Sequence, residues 1–216
     1  MNPLLLDIPH EIHTQRLTIR GPLPGDGPEL CRAMNETFDE LKPWMPWCQT
    51  RPTEEECELN VRQAHIAFWQ RTELRMDLYL KDTDTLVGSS GYHNIEWEIP
   101  KFEIGYWCRK RFMGQGYITE AVRALTALAF DILGARRVQI CMDTLNDASR
   151  RVAERVGYVF ESEQPNERTS GDGKVRSTYV YRLIPDEYRE LVRSGRLLSF
   201  AEIGDNPTVK PVRYRK

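Results

Sequence analysis

The sequence predicts an α/β fold in which one mixed β-sheet carries helices on both faces. Strand-like and helix-like segments alternate along the whole 216-residue chain. Their order is strand, two helices, three strands, helix, strand, helix and two strands, which is typical of a mixed sheet covered by helices. A chain of this length buries enough apolar surface for one core, so we expect a single domain.

The first half of the chain predicts one strand, two helices and two further strands. An alternating apolar pattern predicts an edge strand over residues 16–20. One helix begins at about Pro28, and a second begins after Thr53, where Glu56 three residues on completes a capping-box pattern. Two strand-like runs follow, "RMDLYLKD" and "TLVGSSGYHNIE", joined by a polar turn over residues 82–85.

The second half begins with a strand that leads into the strongest helix. "KFEIGYWCRK" alternates in the way a strand requires. Residues 116–134 predict a helix, because apolar residues recur at i, i+3, i+4 and i+7 and Gly134 is a natural C-cap. "RRVQICMDT" predicts a strand and "NDASRRVAERVGY" a short helix. Two final strands, "YVFESE" and "VRSTYVYRL", precede a last helix in "PDEYRELVRSG".

Composition and charge narrow the possible function classes. The formal net charge of −2 gives no overall field that would favour nucleic acid or a membrane surface, so neither is an expected partner. The N-terminal stretch "MNPLLLDIPHEI" lacks the basic segment of a signal peptide. The five cysteines form no C-x-x-C pair, which is typical of reduced thiols in a cytoplasmic protein.

A glycine-containing loop lies between the third of these strands and the strongest helix. In "RKRFMGQGYITEA", Gly114 and Gly116 stand just before the helix, and residues 109–111 are basic. A helix N-terminus presents unpaired N–H groups and binds anions that can approach the backbone. No lysine follows as in a Walker A loop, and Thr119 stands where a dinucleotide fold has its third glycine. The loop therefore predicts a pyrophosphate site built from backbone amides, unless the glycines only shape the entry to the helix.

The sequence resembles the GNAT acetyltransferases. Residues 111–116, "RFMGQG", match the [RQ]-x-x-G-x-[GA] loop that holds the pyrophosphate of acetyl-coenzyme A in that family, and "NDASRRVAERVGY" supports the match. "LKPWMPW", "EIGYW" and "GYITEA" resemble the RimJ/RimL-like branch, which acetylates N-terminal amines of ribosomal proteins. The resemblance covers about residues 13–185. It implies a GNAT acyl-CoA N-acyltransferase fold with a mostly antiparallel sheet splayed at the cofactor site. Residues 186–216 would add a C-terminal helix and a basic tail to a single domain over 1–216.

The resemblance implies acetyl-CoA as cosubstrate and no metal. The residues that would bind acetyl-CoA from the strand end and the loop are Trp107, Cys108, Arg109, Arg111, Phe112, Met113, Gly114, Gln115, Gly116 and Tyr117. A backbone N–H near Trp107 or Cys108 would stabilise the oxyanion, and Asn146 would hydrogen-bond the pantetheine arm. Many GNAT enzymes place an acidic tyrosine seven residues after this asparagine, but Ala153 stands there. In the RimJ/RimL-like branch the serine of N-x-x-S, here Ser149, protonates or steadies the thiolate instead.

The acceptor amine must be neutral before it can attack. Deprotonation at pH 7 costs about 4.6 kcal/mol for a lysine but only about 1.1 kcal/mol for an α-amine, which favours an α-amine. Glu103 is the expected catalytic base, directly or through a water, although a salt-bridged surface glutamate is an equal alternative. His93 could act instead or be structural. Trp44 and Trp47, with Tyr92 and His93, would line the acceptor cleft, unless the tryptophans pack in the core.

The leading hypothesis is an acetyl-CoA-dependent N-acetyltransferase acting on the N-terminal α-amine of a protein or peptide. One alternative is a small-molecule acetyltransferase for an amino-acid conjugate, an antibiotic or a polyamine. Another is a coenzyme-A-binding module without catalysis. The motif "HEIH" has two histidines but no third ligand nearby, so we expect no metal there. Members of the family are often dimers, and a homodimer is left open.

Overall fold

A computed structural model of the chain describes residues 2–170 and 173–204, so the basic end "VKPVRYRK" lies outside the described residues. Eight strands form one sheet in the order β1-β2-β3-β4-β5-β6-β8-β7. The strands are β1 Glu11–His13, β2 Leu17–Arg20, β3 Leu74–Leu80, β4 Leu86–Glu96, β5 Lys101–Cys108, β6 Arg137–Asp143, β7 Val159–Thr169 and β8 Val175–Leu183. Only β5 and β6 are parallel neighbours among the described strands. The predicted mixed, mostly antiparallel sheet is confirmed.

The helices cover both faces of this sheet, as predicted. They are α1 Gly27–Leu41, α2 Glu54–Gln70, α3 Tyr117–Ala127, α4 Asp147–Val156 and α5 Pro185–Arg193. The alternation of β5 separates the two faces: Phe102 and Ile104 pack in the main core with α3, whereas Trp107 packs against a smaller cluster under α1. Within residues 2–170 and 173–204, no helix is both long enough and apolar enough to cross a lipid bilayer.

The main core lies between the sheet and α3. Apolar side chains of α3 at helical spacing are fully buried there, and Leu125 is one of them. The helix continues beyond Ala127 in a π-helical turn, Leu128–Ile132. Leu6 and Ile8 near the start of the chain join this cluster. So do three apolar residues that follow α5: Leu197, Phe200 and Ile203. The packed core therefore extends beyond residues 13–185 at both ends, and the single domain remains a prediction.

The strand predicted over residues 16–20 is not at the edge of the sheet. A three-residue strand, β1, pairs with it antiparallel, with Ile12 opposite Ile19. So short a segment carries too little alternation to be detected in the sequence. The edges of the sheet are therefore β1 and β7.

The strands β5 and β6 part in the middle of the sheet. Their parallel ladder pairs Lys101 with Arg137, Phe102 with Val138 and Glu103 with Gln139, and it ends there. Both strands nevertheless continue, β5 as far as Cys108 and β6 as far as Asp143. A gap thus opens on the β6 side of β5 directly after Glu103, which confirms the predicted splay.

Candidate active site

The glycine loop leads from the end of β5 to the N-terminus of α3. Gly114 and Gly116 have φ angles of 76° and 83°, a region that favours glycine. A Cβ built on Gly114 would meet no atom within 4 Å, so open space lies above it. Among the residues the structure describes, none accepts a hydrogen bond from the amides of Gly114, Gln115 or Gly116. These amides and the first turn of α3 are therefore available to an anion.

Arg16, the residue before β2, holds this loop in place. This role was not predicted from the sequence. Its Nη1 donates to the Gln115 carbonyl over 3.0 Å, and its Nε donates to Glu120 Oε2 over 2.6 Å. Its guanidinium carbon lies 4.2 Å from the centre of the Tyr117 ring. Glu120 Oε1 also accepts from the Thr14 hydroxyl. The loop is thus held from a segment about a hundred residues earlier in the chain.

The basic residues before the loop differ in where they point. The Arg109 side chain is 4% exposed, with Nη1 2.7 Å from Glu29 Oε1 and Nε 2.7 Å from Glu36 Oε2. It joins α1 to the end of β5. Two carboxylates already occupy its guanidinium, so the Arg109 side chain is not free to bind a cofactor, and any contact of Arg109 with acetyl-CoA would have to come from its backbone. Arg111 Nε lies 3.5 Å from Glu36 Oε2, but its side chain is 52% exposed and remains accessible to a ligand.

The remaining residues of the loop form its local scaffold. Phe112 packs edge-on against Tyr117, with ring centres 5.9 Å apart. The Gln115 side chain donates to the Arg111 carbonyl over 2.8 Å. Met113 is exposed. These contacts are local, and they tie residues 111–117 to one another just before α3.

Backbone amides of β5 face the gap beside β6. Arg109 N donates to the Val87 carbonyl on β4, and a Cβ built on Gly88 would lie 2.2 Å from the Trp107 carbonyl oxygen. Odd-numbered residues of β5 therefore direct their backbone groups toward β4. Backbone N–H groups alternate in direction along a strand. The amides of Tyr106 and Cys108 therefore point into the gap, and that of Trp107 points toward β4. Of the two predicted oxyanion donors, the geometry favours Cys108.

A hydroxyl pair lies on the α4 side of this gap. Asn146 caps α4, since its Oδ1 accepts from Ser149 N over 3.0 Å, which leaves its side-chain amide nitrogen for a ligand. Ser149 Oγ lies 2.9 Å from the Tyr106 hydroxyl oxygen. Burial raises the pKa of Tyr106 and outweighs the opposing effect of the Ser149 hydrogen bond, so the phenol stays protonated. Tyr106 was not predicted, because only the packing of α4 against β5 brings it to Ser149.

Glu103 lies on the opposite face of β5 and accepts three hydrogen bonds. The donors are His93 Nε2 at 3.1 Å, Asn94 Nδ2 at 3.2 Å and Gln139 Nε2 at 2.9 Å. Burial alone would raise the pKa of Glu103, but these hydrogen bonds outweigh it and lower the pKa to about 2. Such a carboxylate is a weak base at neutral pH. Its side chain is also only 14% exposed, so the alternative of a surface glutamate does not fit either.

A broad open cleft of about 530 Å³ adjoins Glu103 on this face, lined by residues of β4, β5, β6, β8 and β7. Its lining is polar, and its arginine and lysine side chains have acidic partners. Arg137 donates to Glu161 over 2.7 Å, and Lys101 donates to Glu96 over 2.8 Å. Glu103 is bound instead by amide groups and by His93, so its charge faces the cleft without an arginine or lysine partner.

The aromatic residues expected at the acceptor cleft divide into two groups. Trp47 is 57% exposed and Trp44 is half-buried, so neither packs in the main core. Tyr92 is 2% exposed and its hydroxyl donates to the Leu125 carbonyl of α3. The prediction that Tyr92 contacts the acceptor is therefore wrong, because the side chain faces the core. His93, the next residue, faces the cleft side and contacts Glu103.

Cysteine and histidine side chains are the usual metal ligands, and a cysteine thiolate is a nucleophile. All five cysteines are free. Burial raises the pKa of the Cys108 thiol to about 12, so it is not a thiolate at neutral pH. In the described part of the chain, no group of three or more His, Cys, Asp or Glu side chains is placed to hold a metal ion. His10 of the "HEIH" motif stacks on Trp69, with ring centres 5.8 Å apart.

Comparison with known proteins identifies this arrangement. The family described as acetyltransferase (GNAT) domain matches residues 16–159. YdaF of Bacillus subtilis (strain 168), named provisionally a ribosomal N-acetyltransferase, is 31% identical over 150 residues, which cover 68% of this chain and 80% of YdaF. The ribosomal-protein-serine acetyltransferase of Escherichia coli (strain K12) is 32% identical over 132 residues, which cover 61% of this chain and 70% of that protein.

A solved structure of RimL, the ribosomal L7/L12 alpha-N-protein acetyltransferase, in complex with coenzyme A shares the fold. Its TM-score is 0.74 at 22% sequence identity, and the match covers 83% of this chain and 98% of that one. The predicted family and its RimJ/RimL-like branch are confirmed. The chain belongs to the GNAT acetyltransferases and is an N-acetyltransferase of that family.

Proposed function

We propose that the chain transfers the acetyl group of acetyl-CoA to the N-terminal α-amine of a protein or peptide. The observation that carries this proposal is the parting of β5 and β6 directly after Glu103. The glycine loop lies at one end of the gap and the polar cleft adjoins the other. Relatives named as ribosomal-protein acetyltransferases support a protein acceptor.

The residues present fit acetyl-CoA, which supplies an activated acyl thioester when bound. Open space over Gly114 and the unpartnered amides of the loop suit a diphosphate, as does the exposed Arg111. Each charge-assisted hydrogen bond contributes about 1.5–3 kcal/mol. The gap beside β5 suits an extended pantetheine arm, and the side-chain amide nitrogen of Asn146, which its capping bond to Ser149 leaves free, would bond to that arm.

The acid and base functions lie on opposite faces of β5, because side chains alternate along a strand. The amides of Tyr106 and Cys108 would stabilise negative charge that develops on the carbonyl oxygen, an effect worth about 3–4 kcal/mol. Ser149, paired with Tyr106, would deliver a proton to the leaving sulfur. The amine would approach from the cleft on the other face, where Glu103 and His93 lie.

The shape of the cleft supports a chain end as the acceptor. It is lined by residues of five strands and stays open at the surface, which suits an extended peptide better than an enclosed small molecule. The free cysteines fit a reducing compartment, so a cytoplasmic location is part of the proposal.

The test is a panel of amines incubated with enzyme and acetyl-CoA while free thiol and product mass are followed. The panel contains peptides with N-terminal serine or alanine, the same peptides blocked at the N-terminus but carrying lysine, and small amines. We expect kcat/KM for the free N-terminus to exceed the others at least 10-fold. Faster turnover of small amines would favour the small-molecule enzyme. Tight coenzyme binding with no turnover would favour the binding module.

A further inference from the structure

We propose that His93 accepts the proton of the acceptor amine and that Glu103 holds His93 in the tautomer this requires. His93 would then be the catalytic residue and Glu103 a positioning residue. The inference rests on the proposed acetyl transfer, and it takes His93, the alternative that the sequence left open, as the base in place of Glu103. It follows from their contacts, from the ring position of His93 and from the place of the pair at the splay.

His93 and Glu103 are direct partners across β4 and β5, at the last regular pair before the register shifts. His93 Nε2 lies 3.1 Å from Glu103 Oε1. An ionised carboxylate can only accept hydrogen bonds, so Nε2 carries the hydrogen and Nδ1 keeps a free lone pair. In the described part of the chain, no residue forms a hydrogen bond with His93 Nδ1. The free nitrogen is therefore the one that can take up a proton.

Gly105 provides the room in which the imidazole lies. A Cβ built on Gly105 would come within 2.8 Å of His93 Cε1 and 3.2 Å of its Nδ1. The free nitrogen therefore sits directly over β5, one residue from Tyr106, whose amide faces the gap. The His93 side chain is 38% exposed, so an amine can reach it from solvent.

Glu103 is anchored independently of His93. Gln139 donates to its Oε2 from β6, and Asn94 donates to the same oxygen from β4. Gln139 is also its partner in the last pair of the β5–β6 ladder. The carboxylate is thus fixed at the point where the strands part, and its other oxygen is left for the imidazole. With a pKa of about 2, it stays ionised throughout the working range.

Other charged or titratable groups near this face are already paired or neutral. These groups lie on β3, β4, β5, β6 and β7, and are Arg75, Asp77, Glu96, Lys101, Arg137, Cys141, Glu161, Glu167 and Arg168. Arg137 donates to Glu161 over 2.7 Å, and Arg168 pairs with Glu167. Arg75 pairs with Asp77 at 2.8 Å and Lys101 with Glu96 at 2.8 Å. Burial raises the pKa of Cys141 to about 12, so it is neutral. Glu103 is the anion that contacts His93.

The transfer can then be written with its protons balanced. His93 Nδ1 removes one proton from the acceptor nitrogen, whose lone pair forms the new bond to the acetyl carbon. The carbon–sulfur bond breaks with its electron pair on sulfur, and the hydroxyl pair of Ser149 and Tyr106 gives sulfur a proton. The products are the acetylated amine and the free thiol, and exchange with water restores both protonation states.

The test compares His93→Gln with His13→Gln, a control histidine whose side chain is 33% exposed and lies on β1. We expect His93→Gln to lower kcat at least about 100-fold, the usual scale of general base catalysis, with acetyl-CoA affinity changed less than 2-fold. In this variant, kcat should no longer decrease as the pH becomes acidic. Added imidazole should restore activity to His93→Ala, and His13→Gln should match the wild type.

If His93→Gln keeps both the wild-type kcat and its decrease at acidic pH, the inference is overturned. The proposed function still holds in that case, because the wild type turns over. The inference is also overturned if the decrease of kcat at acidic pH disappears in Glu103→Gln but not in His93→Gln, because Glu103 would then be the base. If the wild type acetylated no amine, nitrogen NMR of the folded protein would still decide the tautomer. We expect hydrogen on Nε2 of neutral His93, and hydrogen on Nδ1 would refute the arrangement.

Discussion

The hydroxyl oxygens of Tyr106 and Ser149 lie 2.9 Å apart, although 43 residues separate them in the chain. The Tyr106 hydroxyl also donates to the Ser149 carbonyl over 3.1 Å. One proton cannot serve both contacts, so Ser149 Oγ can donate to Tyr106 in the resting enzyme. The two hydroxyls are therefore coupled, and in the proposed reaction they would act together where the thiol leaves.

We therefore expect Ser149→Ala to lower kcat about 100-fold and Tyr106→Phe about 10-fold, in the range of acid–base contributions. The double variant should be little slower than Ser149→Ala, because coupled residues are not additive. Acetyl-CoA affinity, measured by calorimetry, should stay within 2-fold. Tyr181→Phe is the control, since its hydroxyl bonds Glu154 on α4 away from the pair. Fully additive losses would show that the two hydroxyls act separately.

Gly114 can be tested against a glycine with the same geometry elsewhere. Gly114 and Gly173 have φ angles of 76° and 78°, and a Cβ on either meets nothing within 4 Å. Valine at each position should therefore impose a similar strain of about 1–2 kcal/mol. We expect only Gly114→Val to weaken acetyl-CoA binding, at least 10-fold, in a calorimetric titration. Equal affinities in the two variants would remove the loop from the cofactor site.

Arg16→Lys tests whether the loop must be held in place. Lysine keeps the charge but loses the forked contact to Gln115 and Glu120 and the stacking on Tyr117. We expect acetyl-CoA affinity to fall about 5-fold with kcat little changed. Arg62→Lys, which alters a comparable exposed pair with Glu58, should leave affinity unchanged. A fall in kcat alone would contradict the holding role.

Arg109 is expected to matter for stability. Removing its buried guanidinium leaves Glu29 and Glu36 only the exposed partners Arg32 and Arg111, so Arg109→Met should lower the free energy of unfolding by about 3 kcal/mol. Arg32 also pairs with Glu29 but is 59% exposed, and Arg32→Met should cost less than about 1 kcal/mol. Urea denaturation measures both. Equal losses would show that burial does not set the strength of these pairs.

The lowered pKa of Glu103 predicts a stability change with pH. Its folded pKa of about 2 lies below the ordinary 4.5, so its contribution is complete above pH 4.5 and is lost as pH falls toward 2. From pH 6 to pH 3 the wild type should lose about 2 kcal/mol through this group. Glu103→Gln should lack that part of the loss, whereas Glu96→Gln at an exposed site should keep it. Parallel curves for all three proteins would contradict the lowered pKa.

Several elements of this protein can be predicted from the spacing of nearby residues in the chain. The capping box at Thr53, the helix after Gly116 and the strand "KFEIGYWC" all depend on residues within four positions of one another. The loop motif could also be recognised in the sequence, because Gly114 and Gly116 adopt a positive φ that few other residues tolerate. Family and fold class followed from these features.

The contacts that each side chain makes at the site depend on tertiary packing. Whether Arg109 faces a ligand or two carboxylates depends on where α1 packs, some 73–80 residues away in the chain. Strand alternation sends Tyr92 into the core and His93 to Glu103, and a shift of one residue would exchange them. Burial and three hydrogen bonds together set the charge of Glu103. Such properties depend on contacts between distant segments, which local sequence patterns do not record.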